Sequence, residues 1–293
     1  MRAVKEFANA KINLYLDVIA RRDDGFHDIK TVMHSISLRD ELTVTYKPSS
    51  TTAVRLNIMG NRFLPSDDKN LAVRAAMLYL DRLKRTADIE ITLKKRIPVA
   101  AGLAGGSSDA AATLRAMNRL FDKAFTERAL LKIAAELGSD VPYCLYGKTA
   151  LCEGRGEIIT KLPNTIKLNV VVAIANERVS TPRAYSELDA LFSSFDGSVS
   201  TGGDRYYTIV EEFLSRGEIT SDELFNVFEA AVLKACPGAA RIKRRLVELG
   251  ASAALMSGSG PSVFGVFASH EEARAACFAL RAEGITAFYA ASV

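Results

Sequence analysis

The sequence predicts an α+β protein of two lobes, and three observations carry that prediction. Segments with the two-residue alternation of strands and segments with the 3.6-residue period of helices succeed one another along the chain. The mixture continues on both sides of a boundary near residues 161–167, dividing an N-terminal domain, 1–162, from a C-terminal domain, 163–293. At 293 residues, 48% hydrophobic and 25% charged, the chain can bury a substantial core and has an ordinary globular balance.

The elements follow in order. Ile12 to Ile19, Ile29 to Ile36, Leu42 to Tyr46 and Val54 to Ile58 are expected strands. Asn70 to Leu83 carries the helical period, and Ile89 to Leu93 returns to strand. A glycine-rich turn then leads into a helix over Ser107 to Phe121. Thr126, followed by Glu127, opens a helix to Leu137 that Gly138 stops. Short strand-like pieces lie between Thr149 and Leu162, and Leu168 to Ala175 is a stronger strand. Ser193 to Gly203 is polar and glycine-rich, a loop between helices. Charged amphipathic helices over Tyr206 to Ser215 and Ala239 to Leu249 lead into Ser252 to Met256, Ser262 to Phe267, Glu271 to Ala282 and a last strand near Thr286 to Tyr289.

Composition excludes several functions. A formal charge of +4 helps attract anionic nucleotides but is too small an excess for nucleic acid, since acids are interleaved with the Lys and Arg residues. The one dense basic run, Arg241 to Arg245, lies on an expected helix as a solvated face. An RNA-binding or assembly module is the rival class, but no aromatics are interleaved with a basic groove. Cys144, Cys152, Cys236 and Cys277 form no CxxC pair, and His27, His34 and His270 are too dispersed for zinc. His34 is expected as a satisfied or edge-strand histidine and His270 as a surface residue. With no signal-peptide apolar region after Met1 and no apolar span of membrane length, the expectation is a reduced, cytoplasmic chain without a membrane partner.

Chemistry concentrates at Pro98-Val-Ala-Ala-Gly-Leu-Ala-Gly-Gly-Ser-Ser-Asp-Ala-Ala-Ala112. Gly102, Gly105 and Gly106 tolerate positive φ and close approach of a ligand, and Ser107 or Ser108 can cap the helix or donate to phosphate or metal. Open N–H groups at the helix mouth make an anion site, here for a nucleotide phosphate. Asp109 in the first turn suits the dipole but repels phosphate, so its expected role is structural. An ordinary capped helix would use the same residues. Gly147-Lys148-Thr149 is no P-loop, because Pro142 stands where the first glycine belongs. Gly258-Ser-Gly260 lets the backbone pass close to either packed protein or ligand.

Three separated stretches, Ala8 to Leu16, Pro98 to Ala112 and Met256 to Phe264, together resemble the three motifs of the GHMP small-molecule kinases, in order over almost the whole chain. Gly25-Phe-His27 and Gly138-Ser-Asp-Val-Pro142 resemble the branch acting on a cytidine-diphosphate-linked methylerythritol. The resemblance implies the two-lobed GHMP kinase fold, with ATP as phosphoryl donor and Mg²⁺ as its companion. It places ATP over Pro98, Val99, Ala100, Ala101, Gly102, Leu103, Ala104, Gly105, Gly106, Ser107 and Ser108. Asp140 matches the catalytic aspartate that accepts or orients the hydroxyl proton, although an Asp in that turn can also be structural. Lys11 matches the active-site lysine that orients Asp140 and offsets developing charge.

For the acceptor, Asn13 matches a hydrogen-bonding contact on the same strand face as Lys11. Phe26 and His27 match the aromatic and histidine pair that recognises cytidine, with Phe where many relatives carry Tyr. Thr181 and Tyr185 match the region of a further aromatic wall, where a packed tyrosine is the plain alternative. No metal ligand is assigned; Glu127 and Glu136 lie nearby without a decisive motif. Other GHMP kinases, acting on mevalonate-like, homoserine-like or sugar substrates, share the turn without needing the cytidine pair.

Overall fold

A computed structural model describes residues 1–61, 63–163, 166–177, 179–192 and 224–293. The loop expected at 193–203 and the helix expected at 206–215 lie outside the described residues. The fold is α+β, and the chain divides into two compact units: Met1–Ala10, Arg39–Val99 and Ala104–Gly147 form the first, and Lys11–Leu38, Ala100–Leu103 and Lys148–Val293 the second. These units interleave along the chain, so they do not coincide with a single cut between 162 and 163. Two long strands cause the interleaving. β1 (Arg2–Arg21) and β2 (His27–Pro48) each contribute residues to both units.

Both strands outrun their sequence signal. The apolar pattern stops at Asn9, Lys11 and Asn13 in β1, and at Ser37, Arg39 and Asp40 in β2. Yet Lys11, Asn13 and Asp40 are buried and bonded within the molecule, so the strand continues through them.

In the first unit, β4 (Ala87–Lys94) pairs antiparallel with the end of β2, from Glu41 opposite Lys94 to Pro48 opposite Ala87, and parallel with β3 (Ala53–Met59). Strict alternation buries Ala87, Ile89, Ile91 and Leu93 on one face of β4. α1 (Leu71–Leu83), α2 (Gly105–Leu120), α3 (Glu127–Leu137) and α4 (Val141–Tyr146) complete the unit. Asn70 caps α1 by accepting from Ala72 N–H, and Ala72, Val73, Ala76, Tyr79 and Leu80 are its buried stripe. The small buried face of α2, Ala110 to Ala112 and Ala116, lies in the same core cluster as Tyr79. Thr126 caps α3 through Ala129 N–H, as its Thr-Glu start predicts. α4 has no apolar period long enough to predict it; Pro142 in its first turn supplies the φ of a helix start.

The second unit holds an antiparallel four-stranded sheet in the order β11–β7–β10–β9: β7 (Asn169–Ile174), β9 (Ala253–Met256), β10 (Ser262–Phe267) and β11 (Thr286–Ala291). α7 (Pro237–Glu248) and α8 (His270–Ala282) bury Leu246 and Leu280 in one cluster with Val171 and Val263 of the sheet. β5 (Thr149–Gly154) pairs with the start of β2, β6 (Ile158–Lys161) pairs with β5, and β8 (Phe225–Asn226) pairs parallel with β1 at Tyr15 and Leu16. α5 (Thr181–Phe192) and α6 (Glu229–Ala235) are short helices, and a proline at position 182 serves α5 as Pro142 serves α4.

The basic run falls on α7. There Ile242 is buried, Lys243 pairs with Glu229 at 2.5 Å, and Arg245 pairs with Glu283 at 2.7 Å and Glu248 at 3.0 Å. Such internally paired charges are a solvated helix face.

Candidate active site

The glycine-rich turn contributes to both units, and its local geometry differs from the expectation in two respects. Positive φ falls on Ala100 (53°), Gly102 (74°) and Ala104 (55°), whereas Gly105 and Gly106 are helical. α2 therefore begins at Gly105, two residues before the expected Ser107, with Ala104 as its N-cap and no side-chain cap. Ser108 does not cap either. Its hydroxyl is buried and donates to Asn9 C=O at 2.6 Å, with Cys144 Sγ 3.3 Å away. The first N–H groups of a 16-residue helix thus start without an intrahelical partner or a side-chain cap among the described residues, the arrangement that attracts an anion.

Beneath this helix start lies a charge cluster that the sequence did not reveal. Lys95 Nζ donates to Asp40 Oδ2 at 2.6 Å and to Asp109 Oδ2 at 2.7 Å, and all three side chains are at most 5% exposed. Asp40 also accepts from the backbone N–H groups of Arg96 and, at 2.8 Å, Ile97, which fixes the chain entering the turn. Asp109 sits in the second turn of α2, not the first; its Oδ1 is buried without a partner among the described residues. Burial, opposed by the Lys95 ammonium and helped by the Asp40 charge, pushes the Asp109 carboxyl up to about 8; burial works to lower Lys95, but the two acidic neighbours outweigh it and raise it. Gly105 is glycine for room: a Cβ there would lie 3.0 Å from Lys95 Nζ and 3.0 Å from Ile97 Cγ2. Asp140 stands at the N-cap position of α4, half-buried, and its side chain does not cap that helix.

In the second unit the first and third motifs interlock. Lys11 and Asn13 share one face of β1, as their spacing predicts, and Lys11 Nζ donates to Asn13 Oδ1 at 2.7 Å. Gly258 N–H donates to the same oxygen at 2.9 Å, and Asn13 Nδ2 donates to Thr31 Oγ1 at 2.8 Å. Asn13 is 1% exposed, so it is no solvated strand residue. At Gly258-Ser-Gly260 the backbone does pass close to packed protein. A Cβ at Gly102 would fall 2.2 Å from Ser257 C=O, and Ser257 Oγ donates to Gly102 C=O at 3.1 Å. Lys11 N–H also donates to Leu103 C=O at 3.2 Å.

The aromatic and histidine pair lies where β1 turns into β2. Gly25 takes φ 83°, Asp24 Oδ1 accepts from Phe26 N–H at 3.1 Å, and Phe26 is 53% exposed with the Arg155 guanidinium 5.0 Å from its ring centre. The ring available for stacking therefore already carries a cation. His27 is buried, its Nε2 is 2.8 Å from Asp189 Oδ1, and its ring stacks on Tyr185 with centroids 4.5 Å apart. Tyr185 also meets Phe228 edge-on, so it packs in this unit. Thr181 Oγ1 lies 3.0 Å from Ser259 Oγ, joining the start of α5 to the Gly258-Ser-Gly260 segment. His34 is fully buried between the hydroxyls of Thr149 and Ser292, and His270 is on the surface.

Among the described residues no three His, Cys, Asp or Glu side chains gather as metal ligands. Glu136 is paired with Arg82 at 2.5 Å. Among the described residues the four cysteines form no disulfide, and no helix is long and apolar enough to cross a membrane.

Comparison with known proteins adds to this geometry. The GHMP kinases N terminal domain matches residues 70–148, and the GHMP kinases C terminal domain matches residues 209–286. The chain is 40% identical over 282 residues to a 4-diphosphocytidyl-2-C-methyl-D-erythritol kinase of Lachnospira eligens, covering 94% of this chain and 93% of that one. A protein of the same name from Macrococcus caseolyticus is 37% identical, with 95% of each chain covered. A crystal structure of 4-(cytidine 5'-diphospho)-2C-methyl-D-erythritol kinase superposes with a TM-score of 0.79 at 34% identity over 98% of both chains. The homoserine kinase of Cytophaga hutchinsonii, at 24% identity and a TM-score of 0.76, shares the fold. With full-length identity of this order, the chain belongs to the 4-diphosphocytidyl-2-C-methyl-D-erythritol kinase family of the GHMP kinases.

Proposed function

We propose that this chain transfers the γ-phosphoryl group of ATP to the 2-hydroxyl of 4-diphosphocytidyl-2-C-methyl-D-erythritol, releasing ADP and the 2-phosphorylated product within the non-mevalonate isoprenoid route. The observation that carries the reading is the 40% identity, spread over 94% of the chain, with a relative of that name. The local chemistry agrees. The uncapped start of α2 offers backbone N–H groups to the phosphate tail of ATP over residues 98–108. Phosphoryl transfer asks mainly for positioning and charge stabilisation, and few protein groups supply both.

In this reading Asp140, half-buried and not engaged in capping, accepts or orients the proton of the acceptor hydroxyl. Lys11 offsets charge on the transferring oxygens, and Asn13 aims it, since the Asn13 carboxamide holds the ammonium at 2.7 Å. Phe26 and His27 receive the cytosine, Phe26 by its exposed ring and His27 by its imidazole edge. The hydroxyl of Ser107 would meet an Mg²⁺ ion brought in with ATP, since among the described residues no three His, Cys, Asp or Glu side chains gather to hold one. The ion would supply neutralisation of phosphate charge there. The cytoplasm is the proposed compartment.

The test is a purified kinase assay with the cytidine-linked alcohol and close alcohol analogues, following ADP and phosphorylated product together. Both should form only with the cytidine-linked acceptor. Asp140→Asn should lower turnover about a hundredfold or more while leaving folding and nucleotide affinity in place. Wild-type turnover by that variant would remove Asp140 from its role, and equal rates with homoserine or mevalonate would remove the substrate.

A further inference from the structure

α5 places a carboxylate behind the imidazole that the cytidine reading assigns to the base. Asp189 and Tyr185 stand four residues apart on α5, one helical turn, and both engage His27. Tyr185 fixes the plane of the ring by stacking at 22°, with Phe228 edge-on behind it at 4.8 Å. Asp189 fixes the remaining freedom, rotation within that plane, through the 2.8 Å contact to Nε2. The other carboxylate oxygen is 3.9 Å from Arg21 Nη1.

The donor and acceptor roles then follow. An ionised carboxylate only accepts, so Nε2 of His27 must carry the hydrogen. In a neutral imidazole Nδ1 is then a bare acceptor. Cytosine presents an amino donor at its C4 edge where uracil presents an oxygen, so a fixed acceptor suits the first and faces a lone pair of the second. Without Asp189 the ring is free to move its hydrogen to Nδ1 or to turn over, and either change erases the distinction.

We propose that Asp189 is the positioning residue that sets base specificity, holding His27 in the tautomer whose Nδ1 accepts from the cytosine amino group. This rests on the cytidine reading above, and the experiment separates the two. CMP and UMP serve as competitive probes of the purified enzyme. Wild type should favour CMP, and Asp189→Ala should shrink the CMP to UMP preference by up to about tenfold, the upper size of one hydrogen bond between neutral groups. The KM for ATP should stay within about twofold, since α5 is not part of the phosphate turn. Asp189→Asn, whose carboxamide oxygen still accepts, should keep most of the preference.

Acting through His27, Asp189→Ala should add nothing to His27→Ala. An unchanged CMP to UMP ratio in Asp189→Ala, or the same loss in the His27→Ala background, overturns the proposal. If His27→Ala itself leaves CMP binding untouched, the cytidine reading of His27 fails first. Histidine ring ¹⁵N NMR of the wild-type enzyme provides a measurement independent of any variant's folding. Hydrogen on Nε2 with a bare Nδ1 is expected, and hydrogen on Nδ1 alone overturns the proposal.

Discussion

Acidification to about pH 5 should destabilise this protein through His34, a residue outside the proposed chemistry. The imidazole is fully buried in the second unit, with Nδ1 2.9 Å from Thr149 Oγ1 and Nε2 2.8 Å from Ser292 Oγ. Two hydroxyls serve the one donor and one acceptor of the neutral ring. Burial first, then the charge of Lys167, lowers its pKa from 6.5 to about 4. The folded state therefore binds a proton less readily than the unfolded chain. Stability from this group is complete above 6.5, falls as the pH drops, and stops falling near 4.

The gap between the two values corresponds to ~3 kcal/mol, of which ~2 kcal/mol is lost by about pH 5. Asp109 moves the opposite way: raised to about 8, it makes the fold less costly as the pH falls, so a bare pH profile mixes the two. The comparison with His34→Gln, which keeps one donor and one acceptor but does not titrate, isolates the histidine. Since the chain has no tryptophan, urea unfolding is followed by circular dichroism at about pH 7.5 and about pH 5. Wild type should lose ~2 kcal/mol more than the variant over that interval. Parallel losses in the two proteins would refute the argument.

Two further substitutions probe the frame of the turn. Gly102→Ala must accept φ 74° and a Cβ 2.2 Å from Ser257 C=O, so thermal unfolding should show a loss of at least ~1–3 kcal/mol and kinetics a raised KM for ATP. Wild-type values in both would mean that the turn tolerates displacement there. Lys95→Met leaves Asp40 and Asp109 buried without their ammonium, which should cost ~3–5 kcal/mol, and adding Asp109→Asn should recover part of it in the same melting assay. No recovery would place the cost in packing instead of charge.

What the sequence made legible follows from the range of the interactions involved. Periodicity finds α1 and α3 because their buried residues follow the helical period, whereas β7 and β10 show as short continuous apolar runs because they are buried along almost their whole length. It misses α4, whose six residues are too few to show a helical period, and α5, where Ala184 and Leu188 are the fully buried hydrophobics among the described side chains. The glycine turn was legible as a motif but not in its strain: positive φ on Ala100 and Ala104 costs energy that only the surrounding structure supplies, so no propensity signals it. Lys95, Asp40 and Asp189 were invisible for a different reason. A charged residue on a strand or helix looks solvated until its partner, 55 positions away for Lys95 and Asp40 and 162 for His27 and Asp189, is placed against it.

The first and third motifs depend on each other through shared contacts. Gly258 has φ 59°, and a Cβ there would sit 3.1 Å from Gly102 C=O and 3.3 Å from Lys11 Nζ. Its N–H shares with the Lys11 ammonium a single acceptor, Asn13 Oδ1. Any change that lifts the 258 backbone therefore alters the acceptor that aims Lys11, and removal of the Asn13 side-chain oxygen leaves both a buried N–H and a buried ammonium short of a partner. The third motif acts on the first through one carboxamide, without itself needing to touch a ligand. Glycine at 258 and asparagine at 13 are thus a single requirement written twice, 245 residues apart.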